Sequence, residues 1–130
     1  MKNLIFIVCI TFLMTLSLDG LTAKTIEERL LGVWKISKTH DPQTKRTYRP
    51  TKNITYHFHD DGELIMFDPV FRERAIWKWK VKRGIITLTS DSKSTKIVGR
   101  IRFSSKNKFI MRVRLGKNKY FLWMFEKMTD

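Results

Sequence analysis

From residue 33 onward the chain alternates apolar and polar side chains with a period of two. The clearest runs are Ile54-Thr55-Tyr56-His57-Phe58-His59 and Ala75-Ile76-Trp77-Lys78-Trp79-Lys80-Val81. Successive side chains of a strand point to opposite faces, so these runs describe strands with one buried face. Eight strands are expected, at residues 33–38, 54–59, 63–67, 75–81, 85–90, 95–103, 109–115 and 119–128. Short turn sequences join them, among them Asp60-Asp61-Gly62, Lys82-Arg83-Gly84 and Gly116-Lys117-Asn118. A longer loop, residues 40–52 with Pro42 and Pro50, follows the first strand. Helix is expected in one place only. Thr25-Ile26-Glu27-Glu28 is a capping box, in which the threonine side chain covers the third amide and the glutamate reaches back. Gly32 ends that helix quickly.

Short-linked antiparallel strands predict an all-β fold. Its simplest form is an eight-stranded up-and-down barrel with a short N-terminal helix, because closure removes exposed edges. An open meander or a sandwich is the alternative. The inward parity holds Trp34/Ile36, Ile54/Tyr56/Phe58, Leu64/Met66, Trp77/Trp79/Val81, Ile86/Leu88, Ile97/Ile101/Phe103 and Phe109/Met111/Val113/Leu115. A barrel of this size holds its own side chains or one small ligand, and so many bulky groups favour a filled interior. Residues 120–125 break the alternation, being apolar on both faces. Either the helix around Ile26 and Leu30 covers their outer side, or they form a surface for self-association or a partner.

Gly32-Val33-Trp34 after a short helix resembles the Gly-x-Trp start of the lipocalin (calycin) superfamily. The order Leu31-Gly32-Val33-Trp34-Lys35-Ile36, then Phe58-x-Asp60-Asp61-Gly62-Glu63-Leu64, then Trp77-Lys78-Trp79, is similar to small exported bacterial lipocalin-like domains. The resemblance spans most of residues 26–128. It implies a barrel, and it implies carriage of a small hydrophobic ligand inside, for which Trp34, Tyr56, Trp77 and Trp79 are the pocket candidates. In true lipocalins an arginine after the last strand covers the tryptophan. Here the nearest cation is Lys127.

The length of 130 residues fits one domain. Its start reads as an address. After Lys2 come 15 residues without a charge, Leu4 to Leu18, then Asp19-Gly20 and the small Ala23. That is the form of a secretory signal peptide, residues 1–23, and the run is short for a membrane span. Cleavage is expected after Ala23, with Gly20 as the second choice, leaving a barrel domain at 24–130 for the periplasm or the exterior. The single cysteine, Cys9, leaves with the signal, so the exported domain has no disulfide and stands on core packing.

Charge adds the functional clue. The chain carries +14, and removing one lysine and one aspartate with the signal leaves that unchanged. From Lys93 to Phe125 there are ten Lys/Arg and no acidic residue. The outward parity collects Lys78 and Lys80, Arg100 and Arg102, Arg112 and Arg114. A hairpin turning at residues 105–107 sets Arg100 opposite Arg112, an arrangement that costs stability in a sheet. A face of one sign exceeds what solubility needs and suggests an anionic partner.

Other chemistries find little support. His57-x-His59 beside Asp60-Asp61 has strand spacing for two metal ligands, but His40 is the only other histidine, and the pair is read as plain and exposed. No metal or cofactor is expected. There is no nucleophile elbow, Gly-rich phosphate loop or Ser-His-Asp spacing, so no enzyme is expected. The expected function is an exported, non-enzymatic binding module whose basic face meets anionic lipid, polysaccharide or an acidic protein. The alternative is a carrier of a small hydrophobic ligand. Nucleic acid suits the charge, with Trp77, Trp79 and Tyr48 for stacking, but export makes it a poor partner.

Overall fold

The computed structural model describes residues 24–114 and 116–128. The expected signal peptide, residues 1–23, lies outside the described residues, as does the inward assignment of Leu115. Among the described residues one helix, α1 (Ile26–Leu30), precedes nine strands: β1 (Gly32–Asp41), β2 (Arg46–Tyr48), β3 (Thr55–Phe58), β4 (Glu63–Asp68), β5 (Glu73–Lys82), β6 (Ile85–Ser90), β7 (Lys96–Ser105), β8 (Lys108–Arg114) and β9 (Tyr120–Lys127). Every pairing is antiparallel, in the order β1-β3-β4-β5-β6-β7-β8-β9, and β9 pairs back onto β1. The molecule is therefore a closed eight-stranded barrel. No open meander or sandwich is formed.

β2 is the addition to the expected eight. β1 runs three residues past its expected end, and its tip pairs with β2 through Thr39↔Tyr48, His40↔Thr47 and Asp41↔Arg46. Pro42 opens the turn between them, Asp41 accepts a hydrogen bond from the Gln43 amide at 3.0 Å, and Lys45 adopts φ 58°. Three residues are too few to show alternation, so this hairpin is invisible in the sequence pattern. Elsewhere turn chemistry sets the register. Arg83 and Gly84, at φ 53° and 77°, form a two-residue loop with both central residues left-handed, the geometry that matches strand twist. It places Lys82 opposite Ile85.

Most of the expected inward set forms the core; Ile54 stays half-buried outside it, and Leu30 and Phe125 join it. Trp34, Leu64, Ile86, Phe109, Met111 and Val113 are buried almost completely. Phe109 stacks on Phe125 at 4.5 Å and meets the edge of Trp34 at 4.7 Å. Gly99 belongs to this layer: a Cβ there would lie 2.9 Å from Met111 Cγ. The helix closes one end of the barrel. Thr25 Oγ1 accepts from the Glu28 amide as the capping box requires. Leu30 is fully buried, its carbonyl accepts the Trp34 indole N–H at 2.8 Å, and α1 reaches across to β5. With only Leu31 linking it to β1, the helix lies over the barrel end, and Leu122 and Met124 on the outer side of β9 stay half-buried.

Candidate functional site

The six expected cations are all exposed and all on the outer face. Strand register decides which of them meet. Arg100 is paired directly with Arg112. The turn itself is Lys106-Asn107, flanked by Ser105↔Lys108, and an irregularity between Phe103 and Ser105 shifts the register by one residue to bring the two arginines opposite each other. Arg102 pairs with Ile110, and Arg114 with Tyr120. Lys78 and Lys80 stand two strands away on β5, opposite Thr89 and Thr87 of β6. The six therefore form two groups, separated by the uncharged outer side of β6. Two strand spacings make that separation about 10 Å.

Their side chains are not equally free. The Arg112 guanidinium lies 4.0 Å from the Tyr120 ring centre, a cation-π contact. Arg114 donates to the carbonyls of Gly116 at 2.9 Å and Lys117 at 3.0 Å, and so closes the β8–β9 turn. Two ion pairs occur among the described residues, Lys52–Asp68 and Lys108–Glu126, and neither uses any of the six. Arg114 is thus tied to the turn, whereas Arg112, though stacked on Tyr120, stays exposed beside Arg100 and is open to a partner together with Arg102, Lys78 and Lys80.

A shallow cavity of about 640 Å³ lies over β5, β6 and β7. Four lysines, Lys78, Lys80, Lys93 and Lys96, and three carboxylates, Asp61, Glu63 and Asp91, line it, with the hydroxyls of Thr87 and Thr89. Lys93 and Lys96 are outside the six expected cations, and Lys96 is the one that lies on a strand. It pairs with Thr89, which itself faces Lys78, and strand parity alone would have placed it beside Arg100 and Arg102.

The barrel interior has two unlike halves. At the helix end Trp34 and Trp79 are buried, and their indole N–H groups are satisfied. Trp34 donates to Leu30, and Trp79 donates to the carbonyls of His59 at 3.1 Å and Glu63 at 3.0 Å. At the other end Tyr56 and Trp77 are half-buried, together with Ile36, Met66, Ile97 and Trp123. A cavity of about 290 Å³ opens there, bounded by Ile36, Ile54, Tyr56 and residues 48–52. Burial pushes the Tyr56 phenol above its ordinary pKa. Because Trp77 and Trp79 point inward, they give no outer platform for stacking bases.

His57 and His59 do come together, with ring centres 3.9 Å apart. Partial burial first, and the neighbouring His59 second, hold the His57 pKa below its ordinary value. His59 Nε2 is buried without a hydrogen-bond partner. Among the described residues no group of three or more His, Cys, Asp or Glu is placed to hold a metal.

No protein-family model matches the chain, and no curated protein matches it in sequence. A solved structure does match in shape. An uncharacterized protein from Bacteroides eggerthii superposes with a TM-score of 0.56 at 14% identity, over 76% of this chain and 99% of that one. At that identity the likeness concerns the barrel alone.

Proposed function

We propose that this barrel is an exported, non-enzymatic, lipocalin-like binding module whose basic outer face takes an anionic partner: lipid, polysaccharide or an acidic protein. The observation that carries the reading is the Arg100–Arg112 pair. Like charges directly opposed on neighbouring strands destabilise the sheet, and the outward positions of β7 and β8 hold no carboxylate to offset them. An anion seated between the two guanidiniums turns repulsion into two attractions. Binding then adds stability to the folded state by mass action. The dispersed arrangement of the other cations suits an extended polyanion better than a single small anion, since separate contacts add up and release counterions.

The test is titration of the wild type and the Arg100→Gln/Arg112→Gln variant with an anionic polysaccharide at two ionic strengths. Wild-type affinity should fall steeply with salt, and the variant should bind more weakly at low salt. Equal affinities, or indifference to salt, would return the charge to plain solvation.

A second reading is favoured by the asymmetry of the interior. One end is sealed by α1 and Trp34, whereas Tyr56, Trp77 and Trp123 leave the other end half-open. A small hydrophobic molecule would sit at that end, with Tyr56 as its polar contact. Mass spectrometry of molecules retained by the purified barrel distinguishes this carrier from the first reading.

A further inference from the structure

The β4–β5 turn carries the most exposed large apolar side chains among the described residues. Val70 is 71% exposed and its neighbour Phe71 is 62% exposed. Both are at the open end of the barrel, between Asp68 and Glu73, which pair across the turn. Nothing in the barrel needs two apolar groups at a solvent tip, and burying them elsewhere is favourable.

The tip is held in shape. Asp68 Oδ1 accepts from the amides of Val70 at 3.0 Å and Phe71 at 3.4 Å, while its other oxygen lies 3.9 Å from Lys52 Nζ. The same ammonium is 5.2 Å from the Phe71 ring centre, which ties the loop after β2 to the tip. Arg72 at φ 52° completes the turn. Presented in this way, the apolar pair loses little freedom on insertion.

Charge names the partner. Arg72 and Arg74 flank the tip with the exposed Glu73 between them, and Arg49 and Lys52 stand in the adjoining loop; all four cations are exposed and outnumber that one carboxylate. Asp68 is spent on Lys52 and the turn amides. Apolar side chains that project from a surface within a cationic collar match the boundary of an anionic bilayer, where rings enter the acyl edge and cations meet phosphates. A protein pocket would need a complementary concavity, and nothing about the tip selects one.

We infer that Val70 and Phe71 form a membrane-insertion tip for an anionic lipid surface, with Arg49, Arg72 and Arg74 as its headgroup contacts and Lys52 holding the tip through Asp68. The choice of lipid rests on the anionic-partner reading, and β5 carries the basic surface onward from Arg74 to Lys78 and Lys80.

The test uses residues 24–130, a chain whose barrel closes on itself and buries its own core. Its binding is measured to phosphatidylcholine vesicles with and without phosphatidylglycerol, and to soluble dextran sulfate. The Val70→Ser/Phe71→Ser variant changes only exposed side chains, and an unaltered thermal midpoint confirms its fold. It should bind dextran sulfate as the wild type does and lose about tenfold or more in affinity for the anionic vesicles. Equal vesicle affinities of variant and wild type overturn the insertion tip. Binding of wild type to dextran sulfate without any binding to vesicles overturns the tip and leaves the anionic reading standing. Failure to bind either overturns both.

Discussion

Lys127 Nζ stands 5.5 Å from the centre of the Trp34 ring, at the junction of the first and last barrel strands. The two residues are register partners where β9 closes on β1. A lysine therefore occupies the place where the lipocalin resemblance implies an arginine. Gly32 makes the approach possible. It adopts φ 122°, and a Cβ there would lie 3.0 Å from Lys127 Cε. The Gly-x-Trp pattern thus has a local cause: the glycine admits the stem of the cation that covers the tryptophan.

That arrangement sets an order of effects. Trp34→Ala should cost about 3–5 kcal/mol, as for a large buried aromatic. Lys127→Ala should cost about 0.5–1 kcal/mol, the range of a partly exposed cation-π contact, and Lys127→Arg should keep most of it. Urea unfolding of the three variants checks the ranking. A Lys127→Ala loss equal to that of Trp34→Ala would mean that the cation holds the barrel closed by itself.

Gly99 gives a second test, of how tightly the interior is filled. Alanine at this position brings Cβ to 2.9 Å from Met111 Cγ and 3.2 Å from the Arg112 carbonyl. Overpacking of this kind costs about 1–3 kcal/mol. Part of the clash is with a flexible side chain, so Gly99→Ala and Met111→Ala should be coupled. The double variant should be more stable than the sum of the single losses predicts. Strict additivity would mean that the layer has slack.

The barrel was legible because its determinants are local. Alternation places Trp34, Leu64, Trp79, Ile86 and Phe109 inside. The Arg100–Arg112 pairing is the expected one, but its cause is the register shift between Phe103 and Ser105 and not the turn by itself. What was not legible depends on where side chains end. Nothing in the order of residues says that Arg112 lies on Tyr120 or that Arg114 is spent on turn carbonyls. The split between a packed end and a half-open end is equally hidden, because Trp79 and Trp77 have the same parity and differ only in depth. The Val70–Phe71 tip was passed over since a turn offers no period to read.

The histidine pair predicts a dependence of stability on pH. His57 has a folded-state pKa below its ordinary value of 6.5, through burial and then through His59. The unfolded chain therefore binds the proton first as pH falls, so stability rises with pH over that interval. It should be level above about 6.5, decline below it, and flatten once folded His57 is protonated as well. Thermal midpoints at stepped pH should show the decline in the wild type and a shallower one in His57→Asn. An identical profile for the variant would remove His57 as the source.

The opposed arginines give the last prediction, and Tyr120 makes its two halves unequal. Arg100 faces a like charge and has no compensating contact among the described residues, so Arg100→Gln removes only repulsion. It should stabilise the free protein by about 0.2–1 kcal/mol at low salt. Arg112→Gln relieves the same repulsion but loses the stacking on Tyr120, worth about 0.5–1 kcal/mol at an exposed site. The two effects nearly cancel, and this variant should stay close to the wild type. Added salt screens charges on an exposed face, so the gain from Arg100→Gln should shrink as ionic strength rises. If polyanion binding uses the pair, both variants should bind more weakly despite their different stabilities. Parallel unfolding curves for the wild type and the single variants at low and high salt supply the check. A stabilisation by Arg112→Gln equal to that by Arg100→Gln would show that Tyr120 contributes nothing. Destabilisation by Arg100→Gln would show that the guanidiniums do not repel, and the reason for placing an anion between them would be gone.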